Sequence, residues 1–169
     1  MPKVKKIYHG KLLNLIKKRQ TLPNGAEAEL EVIQHPGAAL IVPFLTKTKI
    51  IMVRQFRPVI NKYIYELPAG TLEHQERPHV CARREVVEET GYKATRITKL
   101  GEIFPVPGYS TEKIFIYKAE GLRKAERCLD KDEVMRTCIF SKPEVRDLFL
   151  KGKIVDAKTI CALTYCNWL

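Results

Sequence analysis

The chain has no uninterrupted apolar run approaching the roughly 20 residues that a membrane-spanning helix needs, so no membrane span is expected. After Met-Pro-Lys-Val-Lys-Lys, the only early apolar cluster is Leu12, Leu13, Leu15 and Ile16, broken by Asn14 and followed by Lys17, Lys18 and Arg19. That cluster is too short and too broken for a secretory signal, and a cytoplasmic address is the expectation. Cysteine is sparse, odd in number and without a C-x-x-C pair: Cys81, Cys128, Cys138, Cys161 and Cys166. Neither a disulfide framework nor a zinc site is suggested, which leaves reduced, mostly packed thiols. Tryptophan occurs once, as Trp168, and His9, His35, His74 and His79 share no common spacing and read as surface or turn residues. There is no internal repeat, no low-complexity tract and no composition break that would mark a linker.

What the chain does have is length and apolar content for one core: 169 residues, 45% of them hydrophobic. A single domain over residues 1–169 is expected. Thirty Lys and Arg against nineteen Asp and Glu give a net charge of +11, a field that concentrates polyanions. The basic residues are scattered in twos and threes without interleaved aromatics, which favours a solvated surface over a nucleic-acid stripe. A nucleic-acid partner is therefore not expected.

Leu12 to Ile16 gives a weak first strand signal, and Ala26 to Val32 alternates small or apolar residues with Glu in period two. Asn24-Gly25 between them reads as a hairpin turn. Ala38 to Leu45 and Ile50 to Arg54 are apolar, β-branched runs, and Tyr63 to Glu66 continues the sheet. Pro78 opens a stretch dense in helix formers that runs to Thr90 and stops at Gly91, the form of a helix with a glycine cap. Strand signals return at Ile97 to Ile103, Lys113 to Ala119 and Met135 to Phe140. Ser141-Lys-Pro-Glu144 has the form of a capping box, and Asp156 is placed to cap a final helix. Strands with helices on both sides of a mixed sheet predict an α/β (α+β) sandwich with an N-terminal antiparallel hairpin.

The segment from Gly70 to Tyr92 carries the chemistry. On a helix, Glu85, Glu88 and Glu89 stand at i, i+3 and i+4, so their carboxylates project from neighbouring positions on one face. Like charges at that distance repel unless a cation intervenes, and hard oxygen donors suit Mg²⁺ or Mn²⁺. Arg84 can pair with a neighbouring carboxylate and hold its orientation. An isolated Arg-Glu-x-x-Glu-Glu run would read as a solvated acidic face. The full spacing, however, matches G-x5-E-x7-R-E-U-x-E-E-x-G-U at Gly70, Glu76, Arg84, Glu85, Val86, Glu88, Glu89, Gly91 and Tyr92.

That segment resembles a complete Nudix box, the motif of a family of hydrolases acting on nucleoside diphosphates linked to another moiety. The likeness continues through Val53-Arg-Gln-Phe-Arg-Pro58, Glu66-Leu-Pro-Ala-Gly70, His35-Pro-Gly37 and Gly152-x-Ile-x-Asp-Ala-Lys158, which are similar to stretches of ADP-ribose pyrophosphatases. Pro107, followed by Gly108, lies fifteen residues beyond Tyr92, where a proline marks the ADP-ribose subgroup.

The resemblance implies a Nudix α/β/α sandwich, with residues 1–36 an N-terminal β region and residues 37–169 the core. It implies metal ligation by the Ala69 carbonyl, Glu85 and Glu89, with Glu88 as a further or shared ligand, and Mg²⁺ as cofactor with Mn²⁺ as its substitute. Arg57 would contact substrate phosphate. Arg54, Glu66, Pro107 and Gly108 are further substrate-site residues, with Arg54 open to pairing within the sheet instead. The base that takes the proton of the attacking water sits, in such enzymes, on a loop outside the box. The matching acidic stretch is Asp130-Lys-Asp-Glu133, of which Glu133 is the choice and Asp132 or Glu88 the alternatives. The implied reaction hydrolyses the pyrophosphate bond of ADP-ribose to AMP and ribose 5-phosphate, with a related nucleoside diphosphate sugar such as GDP-mannose as the alternative substrate. A nucleotide- or RNA-binding module without catalysis would be expected to have lost these carboxylates. Tyr8 is open to two readings, base stacking or an interface position. The N-terminal hairpin in this subgroup commonly reaches across a two-fold axis, so a homodimer is expected.

Overall fold

In a computed structural model, residues 4–10, 13–128 and 134–169 are described. The acidic stretch Asp130 to Glu133 therefore lies outside the described residues, as does Leu12.

The chain opens with an antiparallel sheet of three strands, β1 (Val4–His9), β2 (Asn14–Thr21) and β3 (Glu27–Gln34), in that order. The Asn24-Gly25 turn joins β2 to β3 as its sequence predicts. β1 has no period-two apolar pattern, and all six of its residues are exposed, which is why the sequence gives no strand signal there. This sheet is tied to the rest of the fold through β3. Ile33 donates to the Tyr109 carbonyl (2.8 Å) and accepts from the Thr111 N–H (2.9 Å).

A four-stranded mixed sheet follows, in the order β7 (Ala69–Thr71), β4 (Ala38–Pro43), β9 (Ile114–Lys124) and β8 (Tyr92–Ile103). β4 runs parallel to β9 and antiparallel to β7. All six residues of β4 are buried, so this strand reads as a continuous apolar run with no alternation. Its alternate residues nevertheless divide two cores. Leu40 and Val42 pack with Ile50, Met52, Leu67, Ile116, Leu163 and Trp168, whereas Ala39 and Ile41 pack with Cys81, Ala82, Val86 and Ala119. Each fully buried Leu or Ile among them stabilises the fold by about 1.5–3 kcal/mol.

β5 (Lys49–Arg57) pairs with β6 (Lys62–Glu66) and β10 (Met135–Ser141) in a separate antiparallel sheet, β10-β5-β6. The apolar runs of β4 and β5, adjacent in sequence, thus belong to different sheets that share one core. Helix α1 (Pro78–Thr90) covers the other face of the mixed sheet. Helices α2 (Lys142–Leu150) and α3 (Ala157–Tyr165) contribute Val145, Ala162 and Leu163 to the first core. The capping box of Ser141 and Glu144 is present, and the Asp156 carboxylate accepts from the Thr159 N–H at 3.0 Å. No helix among the described residues is long and apolar enough to cross a membrane. All five cysteines are free. Cys81 is buried, three are half-buried and Cys128 is exposed, an exception to the expectation of packed thiols.

Candidate active site

The site forms where β7 passes the carboxylate face of α1. Pro78 occupies the first turn of that helix, and Gly91 ends it in the left-handed conformation (φ 73°), its N–H donating to the Val87 carbonyl at 2.8 Å. Between these limits the helix turns Cys81, Ala82 and Val86 into the core and brings Glu85 and Glu89 to the back of β7. Glu85 is 8% exposed and Glu89 4%. Two carboxylates so nearly withdrawn from water are retained only with strong partners. Glu89 Oε2 accepts from the Ala69 N–H at 3.3 Å.

Arg84 organises the remaining acids. Its Nη1 donates to Glu85 Oε1 at 2.6 Å and to Glu88 Oε2 at 2.9 Å. Its Nε and Nη2 grip Glu76 at 3.1 and 3.0 Å, and Nη2 also reaches the Thr71 carbonyl at 3.3 Å. Only a planar guanidinium with five donors can serve so many acceptors at once. The hydrogen bond from Arg84 holds the Glu76 carboxyl below its usual range, and the same bond raises the Arg84 pKa further. Beside them, burial pushes the Cys81 thiol up to about 12.

Arg57, at the end of β5, closes the other side. It donates from Nε and Nη2 to the two oxygens of Glu66 at 2.6 and 2.7 Å, a bidentate pair. Burial of Glu66 alone would raise its pKa. The cations Arg57 and Lys158 outweigh burial and lower it. Arg57, Ala69, Gly70 and Thr71 form the boundary between two adjoining clefts. One, of about 380 Å³, is lined also by Glu73, Arg84, Glu85, Glu88 and Cys128. The other, of about 390 Å³, is lined also by Pro105, Glu112, Ile114, Asp156 and Lys158.

The structure therefore gathers Arg57, Ala69, Arg84, Glu85, Glu88 and Glu89 at one place, with Glu66 buried behind Arg57. Arg54 stands on the opposite face of β5, its guanidinium 4.2 Å from the centre of the Tyr63 ring. Pro107 and Gly108 sit at the exposed tip of a turn closed by the Ser110 N–H on the Val106 carbonyl (3.0 Å), and Pro105 rather than Pro107 borders the cleft. Trp168 is a core residue packed edge-on to Phe44, and Tyr8 is exposed on the N-terminal sheet. Glu133 lies outside the described residues, but the chain on either side of it is fixed. Arg127 Nε donates to the Glu89 carbonyl at 2.8 Å, and Phe56 N–H donates to the Val134 carbonyl at 2.9 Å. Lys158 is an addition to which the sequence assigned no role, and Asp156, read there as a helix cap, also lines the cleft.

The donor set fits a hard divalent cation: buried carboxylate oxygens beside a main-chain strand, with no imidazole among them. Among the described residues no three His, Cys, Asp or Glu side chains converge as a finished cage, and Arg84 engages Glu85 and Glu88.

Comparison with known proteins agrees with this geometry. The NUDIX domain family matches residues 34–163. An ADP-ribose pyrophosphatase of Bacillus subtilis (strain 168) is 37% identical over 161 residues, 94% of this chain and 87% of its own. A methanol dehydrogenase activator of Bacillus methanolicus is 36% identical over 165 residues, 96% of this chain and 89% of its own. The crystal structure of an ADP compounds hydrolase superposes with a TM-score of 0.85 at 22% identity, covering 98% of this chain and 92% of that one, a likeness of fold. The box residues, their arrangement on α1 and these matches together show that the chain belongs to the Nudix family of hydrolases.

Proposed function

We propose that the protein hydrolyses the pyrophosphate bond of ADP-ribose to AMP and ribose 5-phosphate. The observation that carries this reading is that Glu85, Glu88 and Arg57 line one cleft, with Glu89 buried on the same helix and hydrogen-bonded to the Ala69 N–H. The choice of ADP-ribose is supported by the similarity to the Bacillus subtilis enzyme over most of both chains.

Nudix hydrolases generally use divalent metal ions, and here Glu85, Glu89 and the Ala69 carbonyl, with Glu88, would hold Mg²⁺, or Mn²⁺ in its place. The chemistry supplied when Mg²⁺ is bound is neutralisation of charge on the diphosphate oxygens and a lowered pKa for a bound water. The chain's own part begins with Arg57, whose donors not spent on Glu66 orient the diphosphate. Arg84 is held by its two bonds to Glu76, and the Glu85 and Glu88 carboxylates that it orients are the oxygens that would be offered to the cation. Glu133 accepts the proton of the attacking water. The described residues on either side are tied to the site, Arg127 through the Glu89 carbonyl and Val134 through the Phe56 N–H on β5.

We take residues 1–169 as one domain, in which residues 1–36 serve dimerisation. β1 is exposed along its length, with Val4, Ile7 and Tyr8 among the large exposed apolar residues, a surface suited to a second copy of the chain. The test of the substrate is incubation of the purified protein with Mg²⁺ and, separately, ADP-ribose, GDP-mannose, NADH, Ap4A and triphosphorylated RNA. ADP-ribose should give the highest kcat/KM. A clear preference for GDP-mannose would replace the proposed substrate.

A further inference from the structure

The C-terminal turn of α1 carries two of the site's acids at the end where a helix is least able to hold them. Glu88 and Glu89 stand in that turn, which ends at Thr90 and contains no basic residue. The last carbonyls of a helix have no partner within it, and their dipoles set a partial negative charge there. Two carboxylates at this end add like charge to it, so the turn that bears them is disposed to fray.

The missing cation comes from elsewhere in the chain. Arg127, three residues past the end of β9, donates from Nε to the Glu89 carbonyl at 2.8 Å. The Gly91 carbonyl accepts from the Ala125 N–H at 2.9 Å, so the continuation of the strand is joined to the helix end at two points. The stem of Arg127 lies over Gly91, where a Cβ on the glycine would be 3.4 Å from Arg127 Cβ. The Glu89 carboxylate in turn accepts from the Ala69 N–H. Glu89 is thus held at its main chain by Arg127 and at its side chain by β7.

Stability alone does not account for an arginine here. Its Nη2 is buried and has no hydrogen-bond partner among the described residues. A buried N–H left unbonded costs stability and offsets what the Nε bond contributes. A methionine would cover Gly91 without that cost. What a cation supplies and methionine does not is a charge and a donor for the helix end that bears the acids.

We propose that Arg127 is a positioning residue for the metal-binding acids: by capping α1 through the Glu89 carbonyl it keeps the last helical turn closed, and with it the Glu88 and Glu89 carboxylates in the arrangement that receives a divalent cation. This deepens the metal-dependent reading above and rests on it. Arg127 acts through the main chain of Glu89 and is assigned no contact with substrate.

The experiment is Mn²⁺ binding without substrate, followed by the loss of the free-ion electron paramagnetic resonance signal, for the wild type, Arg127→Met and Arg127→Lys, with a metal-free thermal melt of each. Arg127→Met should weaken Mn²⁺ binding about tenfold, the usual scale for losing a group that orients a metal ligand. Its melt should stay within a few degrees of the wild type, because removing the unbonded Nη2 offsets the lost Nε bond. Arg127→Lys keeps the charge and a donor and should bind Mn²⁺ within about threefold of the wild type. Wild-type affinity in Arg127→Met, or an Arg127→Lys no better than Arg127→Met, overturns the proposal. So does a melt that falls together with the affinity, since Arg127 would then serve the fold and not the acids. Wild-type protein that binds no Mn²⁺ would instead overturn the metal reading, so the two failures are distinct. A second measurement needs no folded Arg127→Met. In the metal-free wild type the Arg127 Nε–H resonance, assigned by its absence from Arg127→Lys, should exchange slowly with water, as a proton bonded to a carbonyl does. Exchange as fast as that of exposed arginine side chains overturns the proposal.

Discussion

Gly70 and Glu85 approach so closely that a Cβ on Gly70 would lie 1.7 Å from Glu85 Oε1 and 2.0 Å from its Cδ. The first glycine of the Nudix segment is thus a spatial requirement of the Glu85 carboxylate fifteen residues later. Gly70→Ala should leave the fold intact by circular dichroism and lower kcat by about 100-fold, the cost of moving a catalytic group by an ångström. Near-normal kcat in that variant would mean that the carboxylate does not act from this position.

Arg84 touches Glu76, Glu85 and Glu88 together. Lysine keeps the charge but loses the fork that grips Glu76 while reaching the other two. Arg84→Lys should therefore raise the Mg²⁺ concentration needed for half-maximal rate by about 10- to 100-fold. A Mg²⁺ titration of the initial rate measures this, and an unshifted curve would remove Arg84 from the metal site.

The Glu66 carboxyl sits below its ordinary value of 4.5 in the folded protein, where Arg57 and Lys158 outweigh the opposing effect of burial. Between the folded value and 4.5 the unfolded chain binds more protons, so stability rises with pH in that window. The contribution is complete above about 4.5 and is lost as pH falls through the folded value. Glu66→Gln should lower stability at pH 7 by roughly 1–3 kcal/mol, moderated by the partial exposure of Arg57, and should flatten the acid limb of Tm against pH. Parallel acid limbs in the two proteins would contradict the assignment.

Much of this site was legible in the sequence because α1 carries Arg84, Glu85, Glu88 and Glu89 at fixed helical spacing up to its Gly91 cap. The hairpin at Asn24-Gly25 and the caps at Ser141 and Asp156 were legible for the same reason, as short-range signals. The division of β4 and β5 between two sheets was not, since a buried apolar run does not say which strand it pairs with. Lys158 was hidden by distance: its partner Glu66 lies 92 residues away, and tertiary structure is what joins them. The position of Pro107 at a turn tip, with Pro105 at the cleft, shows the same limit. A motif fixes register along the chain and leaves open which of its members faces the ligand.

Cys128 is exposed and lines the acidic cleft, whereas Cys81 is buried with its thiol pushed up to about 12. Iodoacetamide at neutral pH should label Cys128 and spare Cys81, as peptide mass spectrometry would show. The labelled protein should lose activity, because the adduct projects into the cleft. Full activity after complete labelling of Cys128 would place the working cleft elsewhere.

The most direct test of the central claim is the rate of AMP and ribose 5-phosphate release from ADP-ribose by the wild type, Glu85→Gln and Glu89→Gln, each with Mg²⁺ and with the metal chelated. The expected result is equal amounts of the two products from the wild type with Mg²⁺, none after chelation, and a loss of about 100-fold or more in either variant while both remain folded. Metal-independent release, or turnover unchanged in both variants, would contradict a diphosphate cleavage built on these two buried carboxylates.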